Sequence, residues 1–354
     1  MRPCGSVIAA ALALVAGGAV PAACSSEPAV ETPIADAGVD QRSRDTRPAE
    51  DAPDTAPVTG PTLLSQTGLY SDFAARTIAP DLIAFAPRYE FWSDGAKKGR
   101  WLYLPPGTKI DTSQIDDFVF PVGTKAFKEF RVGGKLVETR LLMKVREGAG
   151  SKVWWQAPYV WKEDGSDAVA TLGGVVDALG TTHDVPKQED CFNCHGDVSD
   201  VLLGVSAIQL ADPANDQLAG WNAAGRFTVA PPSGIDVPGT GAVKDALGYL
   251  HANCGNCHNA RAVRLNDQTK MRLRLLVEQK TPEATGAYTT TIGTVMKHTL
   301  ENDVTQILVK GDPDKSGLWL RMGRSDLYRM PPAGTEMIDD AGRDIVRQWI
   351  AGLP

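Results

Sequence analysis

The sequence predicts a multidomain α+β protein, with an N-terminal β-rich sandwich-like domain followed by an all-α domain. Residues 62–190 contain short segments rich in aromatic and β-branched residues, punctuated by Gly and Pro, which is typical of antiparallel strands. Residues 238–354 change to the periodicity of amphipathic helices. The chain has 354 residues, of which 43% are hydrophobic, so it can supply two modest cores.

Residues 1–23 have the features of an export signal. Arg2 is followed by an apolar run over residues 7–20 and then by small residues. Cys24 comes next, in an arrangement that resembles the lipobox of bacterial lipoproteins, although Pro21 departs from that pattern. The resemblance implies a lipidated, membrane-anchored chain, periplasmic or on the outer surface. An ordinary cleaved signal is the alternative.

Residues 24–61 are predicted to be a disordered tether. They are acidic, rich in Pro, Ala, Asp and Thr, and carry almost no large apolar side chains that would drive folding. The formal net charge of −7 gives no basic surface for phosphate backbones, so nucleic acid is not an expected partner. Apart from Cys4 and Cys24, every cysteine belongs to a CxxCH motif, so none is left for a disulfide framework.

The β-rich part offers four strand candidates: residues 117–122, 126–132, 135–145 and 153–161. Gly133-Gly134 has the composition of a two-residue hairpin turn. An aromatic cluster near the end of this part is expected to be core, with a sugar-binding platform as the alternative. Its members are Trp154, Trp155, Tyr159 and Trp161.

Two helices are predicted in the second half. Val243, Ala246, Leu247 and Leu250 have helical spacing, and this helix should end next to Cys254. The last helix should be capped by Asp339 or Asp340. Its apolar face comprises Ile345, Val346, Trp349, Ile350 and Leu353.

The motifs Cys191-Phe-Asn-Cys194-His195 and Cys254-Gly-Asn-Cys257-His258 carry the chemistry. In a CxxCH motif the two thiols can form thioethers with the vinyl groups of one haem, while the histidine reaches the iron. A zinc site or a redox CxxC pair is the alternative for each, although a histidine after both pairs favours haem. Two haem c groups are therefore expected, with His195 and His258 as proximal ligands.

A helix, a CxxCH motif, a Met330-Pro331-Pro332 segment and a terminal amphipathic helix occur in this order. Together they resemble a class I cytochrome c domain over residues 238–354. The resemblance implies an all-α fold there, with His258 as the proximal ligand and Met330 as the distal ligand of the second haem.

The wider chain resembles a bacterial family of exported, largely uncharacterised haem proteins. The matching segments are residues 91–96, 100–101, 120–124, 138–142 and 311–313. This resemblance implies a β-rich front and a cytochrome back, without an established reaction.

Residues 191–237 would form the first haem-attachment segment and a linker, with no MPP-like segment of their own. His183 or His298 is the candidate distal ligand of the first haem, and an exposed loop histidine is the alternative for each. His251 is expected to serve packing.

The function expected from these features is single-electron transfer with a periplasmic redox partner protein. Two alternatives remain: a haem enzyme such as a di-haem peroxidase, or a carbohydrate- or surface-binding protein with a cytochrome module.

Overall fold

A six-stranded antiparallel sheet organises the first half of the chain. The computed structural model describes residues 59–262 and 268–354, so the predicted signal peptide, Cys24 and the tether up to residue 58 lie outside the described residues. A small hairpin, β1 (Tyr70–Asp72) and β2 (Thr77–Ile78), comes first. The sheet follows in chain order as β3 (Leu82–Ala84), β4 (Lys97–Tyr103), β5 (Lys125–Val132), β6 (Lys135–Lys144), β7 (Trp154–Trp161) and β8 (Ala168–Ala170).

The predicted hairpin turn and three of the four predicted strands are confirmed. Strands β5, β6 and β7 match the predicted segments within one residue at each end. Gly133 and Gly134, with φ of 55° and 86°, connect β5 to β6. Two successive positive φ angles suit the twist of a tight hairpin, and glycine adopts them without steric cost.

The strand predicted at residues 117–122 is wrong. Only Val119 makes a β-bridge there, to Asp111. Phe120 N instead donates to Asp200 Oδ2 at 2.7 Å. The aromatic and β-branched composition predicted a strand, but a distant segment of the chain binds this stretch as a loop.

The sheet buries both of its faces, because strand residues alternate between two cores. On one face, the aromatic face, Trp155, Tyr159 and Trp161 pack with Leu64 and Leu69. The other face is the helix-covered face. At one end of this face, apolar side chains of the sheet join the core that the helices form. The sheet residues of that core are Leu102, Ala126, Leu142 and Trp154. The four clustered aromatic residues are between 0% and 8% exposed, so the prediction that they are core is confirmed.

Seven α-helices follow among the described residues: α1 (Phe192–His195), α2 (Ala207–Leu210), α3 (Gln217–Ala223), α4 (Gly241–Asn253), α5 (Gly286–Thr289), α6 (Gly317–Met322) and α7 (Asp340–Ala351). Both predicted helices, α4 and α7, are confirmed. Asp339 caps α7 by accepting from Gly342 N at 3.0 Å. At Gly342 the ring of Tyr249 lies against the backbone, since a Cβ there would be 2.3 Å from that ring. The two helices therefore cross closely.

The predicted fold class is wrong in two respects. The C-terminal part is not all-α, because β9 (Val295–Leu300) and β10 (Val304–Gln306) form an antiparallel hairpin within it. The β-rich part is not a sandwich, because its large sheet packs on the helices rather than on a second large sheet. The core is shared: Leu142 of β6 belongs to the same buried cluster as Leu250 of α4 and Trp349 of α7. Periodicity identified the helices correctly but could not reveal which surface covers them.

In the described part of the chain, no helix combines the length and the apolar character needed to cross a bilayer.

Candidate haem-attachment site

The fold brings the two CxxCH motifs together. Helix α1 carries the end of the first motif, and the second begins where α4 ends. The Cys194 and Cys257 side chains hydrogen-bond to each other. The Cys257 thiol also lies 3.7 Å from the carbonyl oxygen of Asn193, inside the first motif. Motifs that are far apart in sequence therefore form one site.

None of the four motif cysteines forms a disulfide in the structure. Burial raises the pKa of Cys254 to about 12 and also raises the pKa of Cys191. The pKa of Cys257 is raised by its hydrogen bond with Cys194 and then by burial. Within residues 59–262 and 268–354, no group of three or more His, Cys, Asp and Glu side chains is arranged to hold a metal ion.

His195 is held in the tautomer that a metal ligand requires. Its Nδ1 lies 2.6 Å from the carbonyl oxygen of Val201. A carbonyl oxygen only accepts, so Nδ1 carries the proton and Nε2 keeps its lone pair. Burial lowers the pKa of His195 to about 4, which keeps the imidazole neutral. Val201 has a φ of 52°, rare for a β-branched residue, and this strained backbone presents the carbonyl.

Asp200 anchors the backbone that presents this carbonyl. Its carboxylate accepts from Lys144 Nζ at 2.7 Å, Trp154 Nε1 at 2.6 Å and Phe120 N at 2.7 Å. The Lys144 and Asp200 side chains are 1% and 0% exposed. The sheet thus fixes the loop that follows the first motif.

His258 has a buried ring nitrogen that needs a partner. Its Nδ1 has no hydrogen-bond partner among the described residues. Burial lowers the pKa of His258 to about 4, so the ring is neutral. A buried, neutral imidazole can ligate iron, although no acceptor fixes the Nδ1 proton of His258 as Val201 O does for His195.

His251 has a different role, because its Nδ1 accepts from Leu275 N at 2.9 Å. Its proton must then be on Nε2, the nitrogen that a ligand would use. This contact agrees with the packing role expected from the sequence.

Met330 lies half-buried in the loop between α6 and α7, with its backbone N–H donating to Arg321 O at 2.9 Å. Asp94 holds the end of this loop by accepting from Glu336 N at 3.0 Å and Met337 N at 2.9 Å. Trp92 Nε1 donates to Met337 O at 3.1 Å.

The segment around Trp92 also reaches the second motif. Asn253, the last residue of α4, accepts from Trp92 N at 2.7 Å and donates to Glu90 O at 3.1 Å. Residues 90–94 thus connect the Met330 loop to the helix that leads into Cys254. Sequence reasoning recorded residues 91–96 as a matching segment but did not assign them this role.

The two candidate distal ligands of the first haem differ in burial and in hydrogen-bond partner. His183 is buried, and its Nε2 is 2.8 Å from Glu138 Oε2. His298 is exposed on β9, with Nε2 3.3 Å from Gln268 Oε1. The structure brings His195 and His258 next to their cysteines but shows no contact of His183, His298 or Met330 with either motif.

No protein-family model, no curated protein and no solved structure matches this chain.

Proposed function

We propose that this chain is an exported di-haem c-type cytochrome that passes single electrons between two adjacent haems and a periplasmic redox partner protein. The observation that carries the proposal is the contact between Cys194 and Cys257, one from each CxxCH motif. Haems attached at these two cysteines would lie close to each other. A bound haem supplies an iron that accepts and returns one electron.

The residues of the chain have separate roles in haem attachment, iron ligation and membrane anchoring. Cys191 and Cys194 would attach one haem, and Cys254 and Cys257 the other. Val201 O accepts a hydrogen bond from the Nδ1–H of His195. This hydrogen bond fixes the orientation of the imidazole ring and raises its basicity as a ligand. His258 would ligate the second iron, and the loop held by Asp94 would supply Met330 as a further ligand. A lipid at Cys24 would keep the chain at a membrane surface.

The first test is a haem count, by pyridine haemochrome assay and intact mass, on protein matured in a host that attaches c-type haem. Two covalent haems are expected in the wild type. One is expected in each double variant, Cys191→Ala/Cys194→Ala and Cys254→Ala/Cys257→Ala. An unchanged count in either variant, or no haem in the wild type, contradicts the proposal.

The second test measures function. Stopped-flow reduction of the di-haem protein should show the two haems in redox equilibrium at every time point, with their reduced fractions set by their potentials, because electrons exchange between neighbouring haems faster than they arrive. Turnover of hydrogen peroxide by the reduced protein would instead favour the peroxidase alternative.

A further inference from the structure

Three cationic side chains form a row across the helix-covered face of the sheet. Arg100 of β4 lies directly opposite Lys128 of β5, and Lys128 lies directly opposite Arg140 of β6. Like charges at directly opposed positions repel each other and destabilise a sheet. We call these three residues the basic row. Its arrangement requires a compensating negative charge.

The carboxylates next to the basic row satisfy only some of its N–H donors. Glu138 forms a two-point ion pair with Arg140, at 2.5 and 2.9 Å, but this uses only two of the five N–H donors of the guanidinium. Glu138 is also the acid beside His183. Glu90 acts electrostatically on Arg100. Glu90 is in turn shared with the neighbouring cation Lys98, on which Asp339 also acts.

One member of the row has a buried donor that meets no acceptor. Arg100 is 6% exposed, and its buried Nη2 has no hydrogen-bond partner in the described part of the chain. The Lys128 ammonium is half-buried and lies over the ring of Phe130, 4.7 Å from its centroid, and 5.7 Å from that of Phe91. Aromatic faces compensate a cation only in part. A buried donor without an acceptor is costly, so Arg100 points to an anionic ligand, and Lys128 beside it adds to the positive charge.

The basic row faces the first CxxCH motif. Arg140 is close enough to act electrostatically on Cys191 and Cys194, and Lys128 on His195. The motif is fixed over this part of the sheet by a pair of hydrogen bonds. Gln188 Nε2 donates to Gln156 O at 2.6 Å, and Gln156 Nε2 donates to Gln188 O at 3.4 Å.

We propose that the basic row is a carboxylate-binding site, and that it takes the two propionates of the haem attached at Cys191 and Cys194. The inference rests on the proposed function, since it needs haem at this motif. In the described part of the chain, Arg140 is the one member of the row that forms an ion pair with a carboxylate, so Arg100 and Lys128 remain for two propionates. The guanidinium groups suit carboxylates because their N–H donors form a planar fork.

A free oxyanion has the same chemistry, and a thermal unfolding experiment distinguishes the two sources. Lys128→Met removes one charge at nearly constant volume. In the di-haem protein it should lower Tm by about 2–4 °C, because a propionate loses its partner. In the Cys191→Ala/Cys194→Ala background the same change should raise Tm, because it only relieves repulsion in the row.

Citrate or phosphate should raise Tm in that haem-deficient background and leave the di-haem wild type unchanged. If they raise Tm equally in both, the row binds a free anion and the propionate assignment is overturned. Lys97→Met is the matched control, because Lys97 is an exposed residue of β4 on the opposite face. It should change Tm little in either background.

A reduction potential gives a readout that a purely structural role would not move. In the Cys254→Ala/Cys257→Ala background only the first haem remains. Lys128→Met, or Lys128→Gln if the first variant folds poorly, should lower its potential by roughly 59 mV, a tenfold shift of the one-electron equilibrium towards the oxidised haem. An intact haem count with an unchanged potential and no reversal of the Tm effect refutes the inference while leaving the proposed function in place. A missing first haem refutes both.

Discussion

The anchoring of the first motif by Asp200 can be tested by Asp200→Asn. The carboxylate accepts three hydrogen bonds, and its partner Lys144 is buried beside it. Removing one charge of a buried pair leaves the other uncompensated, which costs about 3–5 kcal/mol. The new amide also has a single acceptor oxygen, so it cannot replace all three contacts.

The expected result in urea unfolding is therefore a loss of about 3–5 kcal/mol with an unchanged m-value, against a total of about 5–15 kcal/mol for a typical domain. The double variant Asp200→Asn/Lys144→Met should be less destabilised than the sum of its single variants, because no unpaired charge remains. The measurement is best made on the haem-deficient chain, in which no cofactor adds to stability.

A local effect should accompany the loss of stability. When the backbone at Val201 moves, His195 loses the acceptor for its Nδ1 proton, so the first haem should show altered ligand-field bands. Asp245→Asn, an exposed change on α4, is the control and should fall within about 0.5 kcal/mol of the wild type. A loss below about 1 kcal/mol for Asp200→Asn, with unchanged bands, would refute the anchoring role.

Two further predictions concern the second motif and its helix. Asp94→Ala removes the acceptor for two backbone N–H groups of the Met330 loop. The methionine-to-iron charge-transfer band should therefore weaken while the haem content stays the same. An unchanged band would mean that the loop holds its position without Asp94. Gly248→Ala places a Cβ 2.1 Å from the ring of Tyr89. It should destabilise the protein by about 1–3 kcal/mol in urea unfolding despite the higher helix propensity of alanine, and a stabilised variant would contradict the close packing.

Much of the local structure could be predicted from the sequence. The β5–β6 hairpin follows from paired glycines between alternating segments, and α4 and α7 follow from apolar residues at helical spacing. These features depend on interactions between residues near each other in the chain, so a local pattern contains the relevant physics. The cap at Asp339 belongs to the same class, because its acceptor and donor are three residues apart.

The wrong predictions share one cause, which is contact between distant segments. Residues 117–122 have the aromatic and β-branched composition of a strand, yet Phe120 N is bound by Asp200, which lies 80 residues further along the chain. The β9–β10 hairpin lies in a region where helical periodicity was the stronger signal, so its presence was missed. The separate all-α domain failed for a similar reason, since the apolar faces of α4 and α7 pack into the same core as the sheet.

The sequence by itself predicts haem attachment at the two CxxCH motifs, because the thiol and imidazole spacing is a local property of five consecutive residues. Only the tertiary structure decided that Cys194 meets Cys257, that Val201 fixes the tautomer of His195, and that Arg100, Lys128 and Arg140 align beside the first motif. Each of these depends on strand register or on a loop fixed from afar. Strand register and long-range loop contacts leave no signal in residues that are adjacent in the sequence.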